Sequence, residues 1–239
     1  GIHKWQKCFD CGQQFHGAVF LALGWAGWKT YLGRPERDAN RPLAIDNLGG
    51  ALWASRPKEA LPVLEEALAG YRRAEQRGWR TEDAHGLTEL TLGAQTRLAN
   101  CYDQLERRGE ALVLRREVYA KHMSLLGAAH ENTIISGNNL GAGLLNNDLN
   151  DEARGVLRKQ VSVARRALGR DHKSTLHACS HLSTCLGLKP TSLGDLREAE
   201  ALMTDTVQRW RQVFGAAHPK TRHHAHVLSL IRENLRRNT

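Results

Sequence analysis

The chain has 239 residues, with 34 Lys plus Arg against 25 Asp plus Glu, a net charge of +9 with histidine neutral. An apolar share of 41% is ordinary for a globular protein and excludes wholesale disorder. Aromatic residues are few, Ala, Leu, Arg and Glu are abundant, and Val-Ile-Thr runs of period two are scarce, which excludes a β-sandwich or barrel.

Residues 1–16 carry the first chemical signature, Cys8-Phe-Asp-Cys11 followed by His16. A Cys-x-x-Cys turn lets two thiolates grip one tetrahedral zinc, with His16 as a third ligand and His3 the only local fourth. The alternative is two ordinary buried thiols. The chain starts with Gly rather than Met, so missing ligands are expected upstream, as in RING-like or MYND-like fingers. Five cysteines, Cys8, Cys11, Cys101, Cys179 and Cys185, form an odd set without a signal peptide. That pattern suggests a reducing, cytoplasmic compartment.

Residues 17–32 read as an apolar helix with Trp25 and Trp28 three apart, expected to cap the first hairpin. Its apolar run, Ala18 to Trp28, is too short for a membrane span.

Beyond it the chain repeats. Leu126-Gly127-x-x-His130-x-x-Thr133 returns as Leu168-Gly169-x-x-His172-x-x-Thr175 and as Phe214-Gly215-x-x-His218-x-x-Thr221, spaced by 42 and 46 residues. Glu110-Ala111, Glu152-Ala153 and Glu198-Ala199 move with the same spacings, and the extra four residues fall in the Pro- and Gly-bearing stretch 188–194. Upstream, Leu32-Gly33 and Glu59-Ala60 continue the register, with an enlarged loop over Gln76 to Leu92. Apolar residues inside a unit fall at helical spacing, so each unit reads as a helical hairpin. The hairpins are expected at about 40–76, 88–127, 130–169 and 172–215, with a terminal helix over 218–237. Gly127, Gly169 and Gly215 suit the left-handed position just past a helix end, and Pro219 suits a first helical turn.

This pattern resembles the tetratricopeptide repeat family, in the 42-residue form of kinesin light chains. The resemblance spans about residues 32 to 235 and rests on Asn138-Asn139-Leu140, Glu152-Ala153, Ala167-Leu168-Gly169, Gly215-x-x-His218-Pro219 and the period. It departs where the second unit lacks the Gly-x-x-His turn, where Gly141 replaces the usual Ala, and where the last unit stops after one helix. It implies an all-α, right-handed superhelical solenoid whose first helices line a peptide-binding groove.

Aligning Leu48, Leu98, Leu140, Leu182 and Leu228 puts Asn47, Arg97, Asn139, His181 and Val227 one position before, and Asp46, Thr96, Asn138, Ser180 and His226 two before. Asn47, Arg97, Asn138, Asn139 and His181 are therefore the expected peptide-binding residues, with Tyr102 as an aromatic that either packs or reaches the groove. A double variant, Arg97→Ala with Asn139→Ala, is expected to lose the partner at unchanged melting temperature. The positive balance favours an acidic peptide or protein partner. The arginine pairs near helix ends read as solvated faces.

Catalysis finds no centre in the repeats. His130, His172 and His218 recur at one place in successive units, as a turn residue does, whereas a general base is needed once. His223 and His226 are close enough on a helix to share a metal, but no Cys, Asp or Glu nearby in sequence completes the site. No phosphate loop, nucleophile elbow or His-Glu-x-x-His is present. The reading is a non-enzymatic scaffold. The alternatives are the adaptor part of a zinc-finger protein such as a ubiquitin ligase and, third, a helical-repeat RNA binder, disfavoured by the period.

Overall fold

The computed structural model describes residues 17–35, 38, 40–53, 55–79 and 86–239. Cys8, Cys11 and His16 lie outside these, so the zinc reading lies outside the described residues. Ten α-helices and no strand occur among the described residues: α1 Gly17–Tyr31, α2 Arg41–Leu52, α3 Pro57–Gln76, α4 Gly86–Gln104, α5 Arg108–Leu126, α6 Glu131–Asn146, α7 Asn150–Ala167, α8 Lys173–Leu188, α9 Leu193–Phe214 and α10 Pro219–Arg237. The all-α helical-repeat fold read from the period is the fold observed.

The recurring turn is built from two residues. Gly127, Gly169 and Gly215 have φ of 77, 87 and 86°, as does Gly33 at 80°, a region where a Cβ is strained. Three residues later the histidine is an N-cap: Nδ1 of His130, His172 and His218 accepts the backbone N–H of Asn132, Ser174 and Lys220, each at 3.2 Å. An orphan donor of the next helix is thereby satisfied, in the role Ser or Asp usually fills. In two of the three motifs the threonine ties this cap backwards. Thr133 Oγ1 donates to the carbonyl of His122 at 3.2 Å, and Thr221 Oγ1 to that of Trp210 at 3.5 Å.

The Glu-Ala marker divides its labour. Ala60, Ala111, Ala153 and Ala199 are completely buried, where no larger side chain fits. The glutamates face outward: Glu152 accepts a two-pronged bond from Arg116, and Glu198 accepts from Arg158 at 2.6 Å. Arg116 and Arg158 occupy equivalent places, so the same link recurs from one second helix to the next. These pairs are exposed and fix register more than they add stability, at about 0–1 kcal/mol each.

The described helices form two compact units that divide after Leu114, inside α5. In the first, α1 packs on α2, α2 on α3 and α3 on α4. Its core joins Leu48, Leu52, Leu64, Leu68, Tyr71 and Leu98, with Leu21 and Trp28 of α1 partly buried against it. Trp25 stays 40% exposed, so one of the two tryptophans packs as a cap and the other does not. In the second unit α6 to α10 stack in sequence, with α8 also against α6 and α10. Ile134, Leu144, Leu157, Leu176, Leu186, Leu196, Met203, Trp210 and Ile231 are its largest fully buried side chains among the described residues.

Gly141, the departure from the usual alanine, is explained by what faces it. A Cβ there would lie 2.3 Å from Leu157 Cδ2, and at the equivalent Gly49 it would lie 2.5 Å from Leu64 Cδ2. A glycine on the first helix is matched by a leucine on the second, and the summed volume is kept.

Candidate functional site

Helical periodicity leaves one stripe of each first helix half-covered. Its members are Leu43, Asn47 and Gly50 on α2, Gly93, Arg97 and Asn100 on α4, Ile135, Asn139 and Ala142 on α6, and His177, His181 and Thr184 on α8. The spacing of four then three residues is the same in all four helices. Asn47, Arg97, Asn139 and His181 hold the middle position. The residues one place earlier turn into the packing. Asp46 and Asn138 are buried, and Asn138 Nδ2 donates to the Ser174 carbonyl of α8 at 2.8 Å. Tyr102 is placed elsewhere. Its hydroxyl donates to Glu65 Oε1 at 3.1 Å, the Arg107 guanidinium lies 4.3 Å over its ring, and it lines an outer recess with Leu68, Arg72 and Leu98.

In the first unit the stripe is crossed by an ion pair. Asp46 has no exposed surface; its Oδ1 accepts from Arg97 Nε at 2.7 Å and its Oδ2 from Arg97 Nη2, and the Tyr71 hydroxyl donates to the same Oδ2 at 3.4 Å. Burial, then the Asp46 charge, pushes the Tyr71 hydroxyl above the usual tyrosine range. Gly50 and Gly93 leave the trough in which the Arg97 side chain lies, because a Cβ at either would meet it at 3.3 and 3.4 Å. Arg97 is therefore a structural partner of α2 with one edge of its guanidinium toward the stripe.

In the second unit the stripe broadens into an imidazole cluster. The His177 ring lies 6.2 Å from His181, 6.4 Å from His224 and 5.2 Å from Trp210, and the Trp210 ring lies 5.4 Å from His224 and 6.0 Å from His218. Ser180 Oγ donates to the Leu176 carbonyl at 2.8 Å, so it can only accept from His224 Nε2, 3.4 Å away. His177 Nε2 accepts from Lys220 Nζ at 3.0 Å, which puts the His177 proton on Nδ1. Burial first, then the Lys220 charge, holds His177 down to about 3. Burial also brings His181 down to about 4 against a hydrogen bond to the Asn138 backbone that favours the protonated ring, and brings His224 to about 4 with help from His223. All three are neutral at physiological pH.

The cluster predicts an acid-labile second unit. Each imidazole titrates lower in the folded chain than the unfolded value of about 6.5, so between these values the unfolded state binds more protons. Stability is full above about pH 6.5 and falls as the pH drops toward 4. Allowing for partial exposure, roughly 2 to 4 kcal/mol should be lost between pH 7 and pH 5. Urea melts across this range measure it, and the slope should flatten in His177→Asn with His224→Asn. A midpoint independent of pH would show that these rings titrate freely.

Neither His223 nor His226 belongs to the cluster core, since both face outward while His224 points in. No group of three or more His, Cys, Asp or Glu able to hold a metal occurs among the described residues. Cys101, Cys179 and Cys185 are buried free thiols that burial pushes above the usual range, the state of inert packing residues. No described helix is long and apolar enough to cross a membrane.

Residues 133–173 and 191–220 match the family model of the tetratricopeptide repeat, and these stretches are tetratricopeptide repeats. No curated protein matches the chain. Solved structures do. The nearly identical TPR-like repeats of a protein assigned as a kinesin light chain from Podosopora anserina superpose with a TM-score of 0.62 at 21% identity, over 83% of this chain and 88% of that one. A single-residue variant of it gives 0.61 at 22%, over 81% and 84%. BtubC (BKLC) from P. vanneervenii gives 0.65 at 14%, over 91% of this chain and 87% of that one. The kinesin-light-chain-like kind of repeat read from the 42-residue period is thus the kind its structural neighbours carry.

The sequence did not single out Lys173, His177, His224 or Lys220. The signal was present for two of them: Lys173 and His177 follow Glu131 and Ile135 by one repeat, and a register count from the leucines, carried back two turns, reaches both.

Proposed function

We propose that the protein is a non-enzymatic, cytoplasmic interaction scaffold, and that a segment of a partner protein lies along the half-covered stripe of α6 and α8 in the second unit. The observation that carries this reading is the stripe of the second unit, where Ile135, Asn139 and Ala142 of α6 and His177, His181 and Thr184 of α8 are left only partly covered. Asn139 is half-buried and makes no hydrogen bond to the described residues. An amide placed so can give and accept one bond each to an extended peptide backbone. Lys173 and Lys220 stand at the start of α8 and α10 with no carboxylate paired to them among the described residues, so the partner segment is acidic.

The test uses peptide display. A random 12-residue library panned on the protein should enrich acidic sequences, and an enriched peptide should bind Asn139→Ala with Lys173→Ala at least tenfold more weakly at an unchanged melting temperature. Equal binding to the variant would remove the stripe from the recognition surface. Arg97→Ala is unsuited to this test, because its loss acts on the fold.

A further inference from the structure

We propose that the open flank of α1 is a homodimer interface, on which α1 of a second copy of this chain packs antiparallel. In the repeat, α1 stands where a second helix stands. Gly24 lies on α2, where a Cβ would meet Ala51 Cβ at 3.2 Å and Leu48 Cα at 3.3 Å. Leu68 of α3 holds the same place toward the next first helix, lining a recess with Leu98 of α4. Counted from these two residues, α1 carries Phe20 and Ala26 where α3 carries Leu64 and Gly70. In α3 that side is closed by α2: a Cβ at Gly49 would lie 2.5 Å from Leu64 Cδ2, and one at Gly70 would lie 3.0 Å from Pro42 Cγ. The helix that α1 packs on is α2, on its other side, so its own flank stays open. Val19 is 55% exposed, Ala22 and Ala26 are exposed, and Leu23 is half-covered. The last helix, α10, instead turns Arg222, Ser229, Glu233 and Arg236 to water, the polar outer face that ends a stack of repeats. The apolar flank of α1 does not end one, and such a surface marks a contact.

The order of sizes along the flank selects the occupant. Val19, Ala22, Leu23 and Ala26 share one side of the helix. A two-fold axis crossing α1 between Ala22 and Leu23 sets Val19 against the partner's Ala26 and Leu23 against the partner's Ala22, and the reverse pairs follow by symmetry. Each larger side chain thus meets an alanine, the same matching of volume that sets Gly141 against Leu157 inside a hairpin. The antiparallel sense is also that of a first helix on its second. Lys29 is the one charged residue of α1, and the antiparallel arrangement sends the two Lys29 side chains to opposite ends, so chains of net charge +9 meet here without opposed ammonium groups. The contact is short, since a 15-residue helix spans about 22 Å, and the dimer is accordingly a reversible one.

Sedimentation equilibrium of the full chain from about 2 to about 200 μM tests this, and the mass should rise from 26.7 kDa toward twice that value. Ala26→Glu and Leu23→Glu should each hold the chain monomeric over the whole range; Ala26 is exposed, so its variant should also keep the parent's helical signal. Ala22→Leu sets leucine against leucine and should weaken the dimer about tenfold. Adding Leu23→Ala to it restores a large-to-small pair and should bring the dissociation constant back to within about threefold of the parent's. A mass of one chain at every concentration overturns the proposal, whether the flank is then met by residues 1–16, by another protein or by water. A dimer indifferent to Ala26→Glu, or a double variant no tighter than Ala22→Leu alone, overturns it equally.

Discussion

Arg97→Ala is expected to lower the unfolding free energy by about 3–5 kcal/mol, more than any other single change on the inner stripe. The loss comes from Asp46 rather than from Arg97. Asp46 has no exposed surface, and without the guanidinium its carboxylate keeps only the Tyr71 hydroxyl at 3.4 Å. A buried charge left unpaired costs far more than the pair contributes when intact. Asp46→Asn in the same chain removes the stranded charge and should recover part of the loss, so a double-mutant cycle by urea unfolding separates the two effects. Asn139→Ala, which strands nothing, should stay within about 0.5 kcal/mol of the parent. A loss under about 1 kcal/mol for Arg97→Ala would mean that water reaches Asp46. The outcome also revises the expectation, drawn from alignment alone, that Arg97 and Asn139 are equivalent partner-binding positions removable at constant stability.

Trp210→Ala should be equally severe, at about 3–5 kcal/mol. Trp210 is 1% exposed on α9, 4.6 Å centroid to centroid from Phe214 and wedged against His177, His218 and His224. Truncation empties a large cavity at the seam of α8, α9 and α10 and lets water reach the imidazoles. A second readout follows from that. With the rings hydrated, their protonation becomes easier, so the variant should lose the steep decline between pH 7 and pH 5 along with its stability. Trp210→Phe, which keeps most of the volume, should cost less than half as much. If Trp210→Ala unfolds at the parent's denaturant midpoint with the pH slope intact, the seam is not what the packing indicates.

How much of this was legible beforehand depends on whether a residue acts along the chain or across it. The turn motif acts along the chain: Gly127, Gly169 and Gly215 need a left-handed backbone, and His130, His172 and His218 cap a helix two residues on, so their spacing in the sequence is already their geometry. The half-covered stripe was equally accessible, because it follows from a fixed period of 3.6 residues counted from an aligned leucine. The partners across helices were not accessible. That Arg97 meets Asp46 fifty-one positions away, that Tyr102 turns toward Glu65 instead of the stripe, and that His177 finds Lys220 on the following first helix depend on which side chain fits the space that its neighbours leave.

The sequence by itself determined the repeat period, the all-α repeat fold and the glycine turns of the repeat motif. Only the tertiary structure decided which positions of the first helices are free to meet a partner. Local backbone preferences and apolar periodicity are short-ranged and read directly from spacing. A polar side chain on a stacked helix has a choice between water and a buried partner, and desolvation settles that choice once the helices have met.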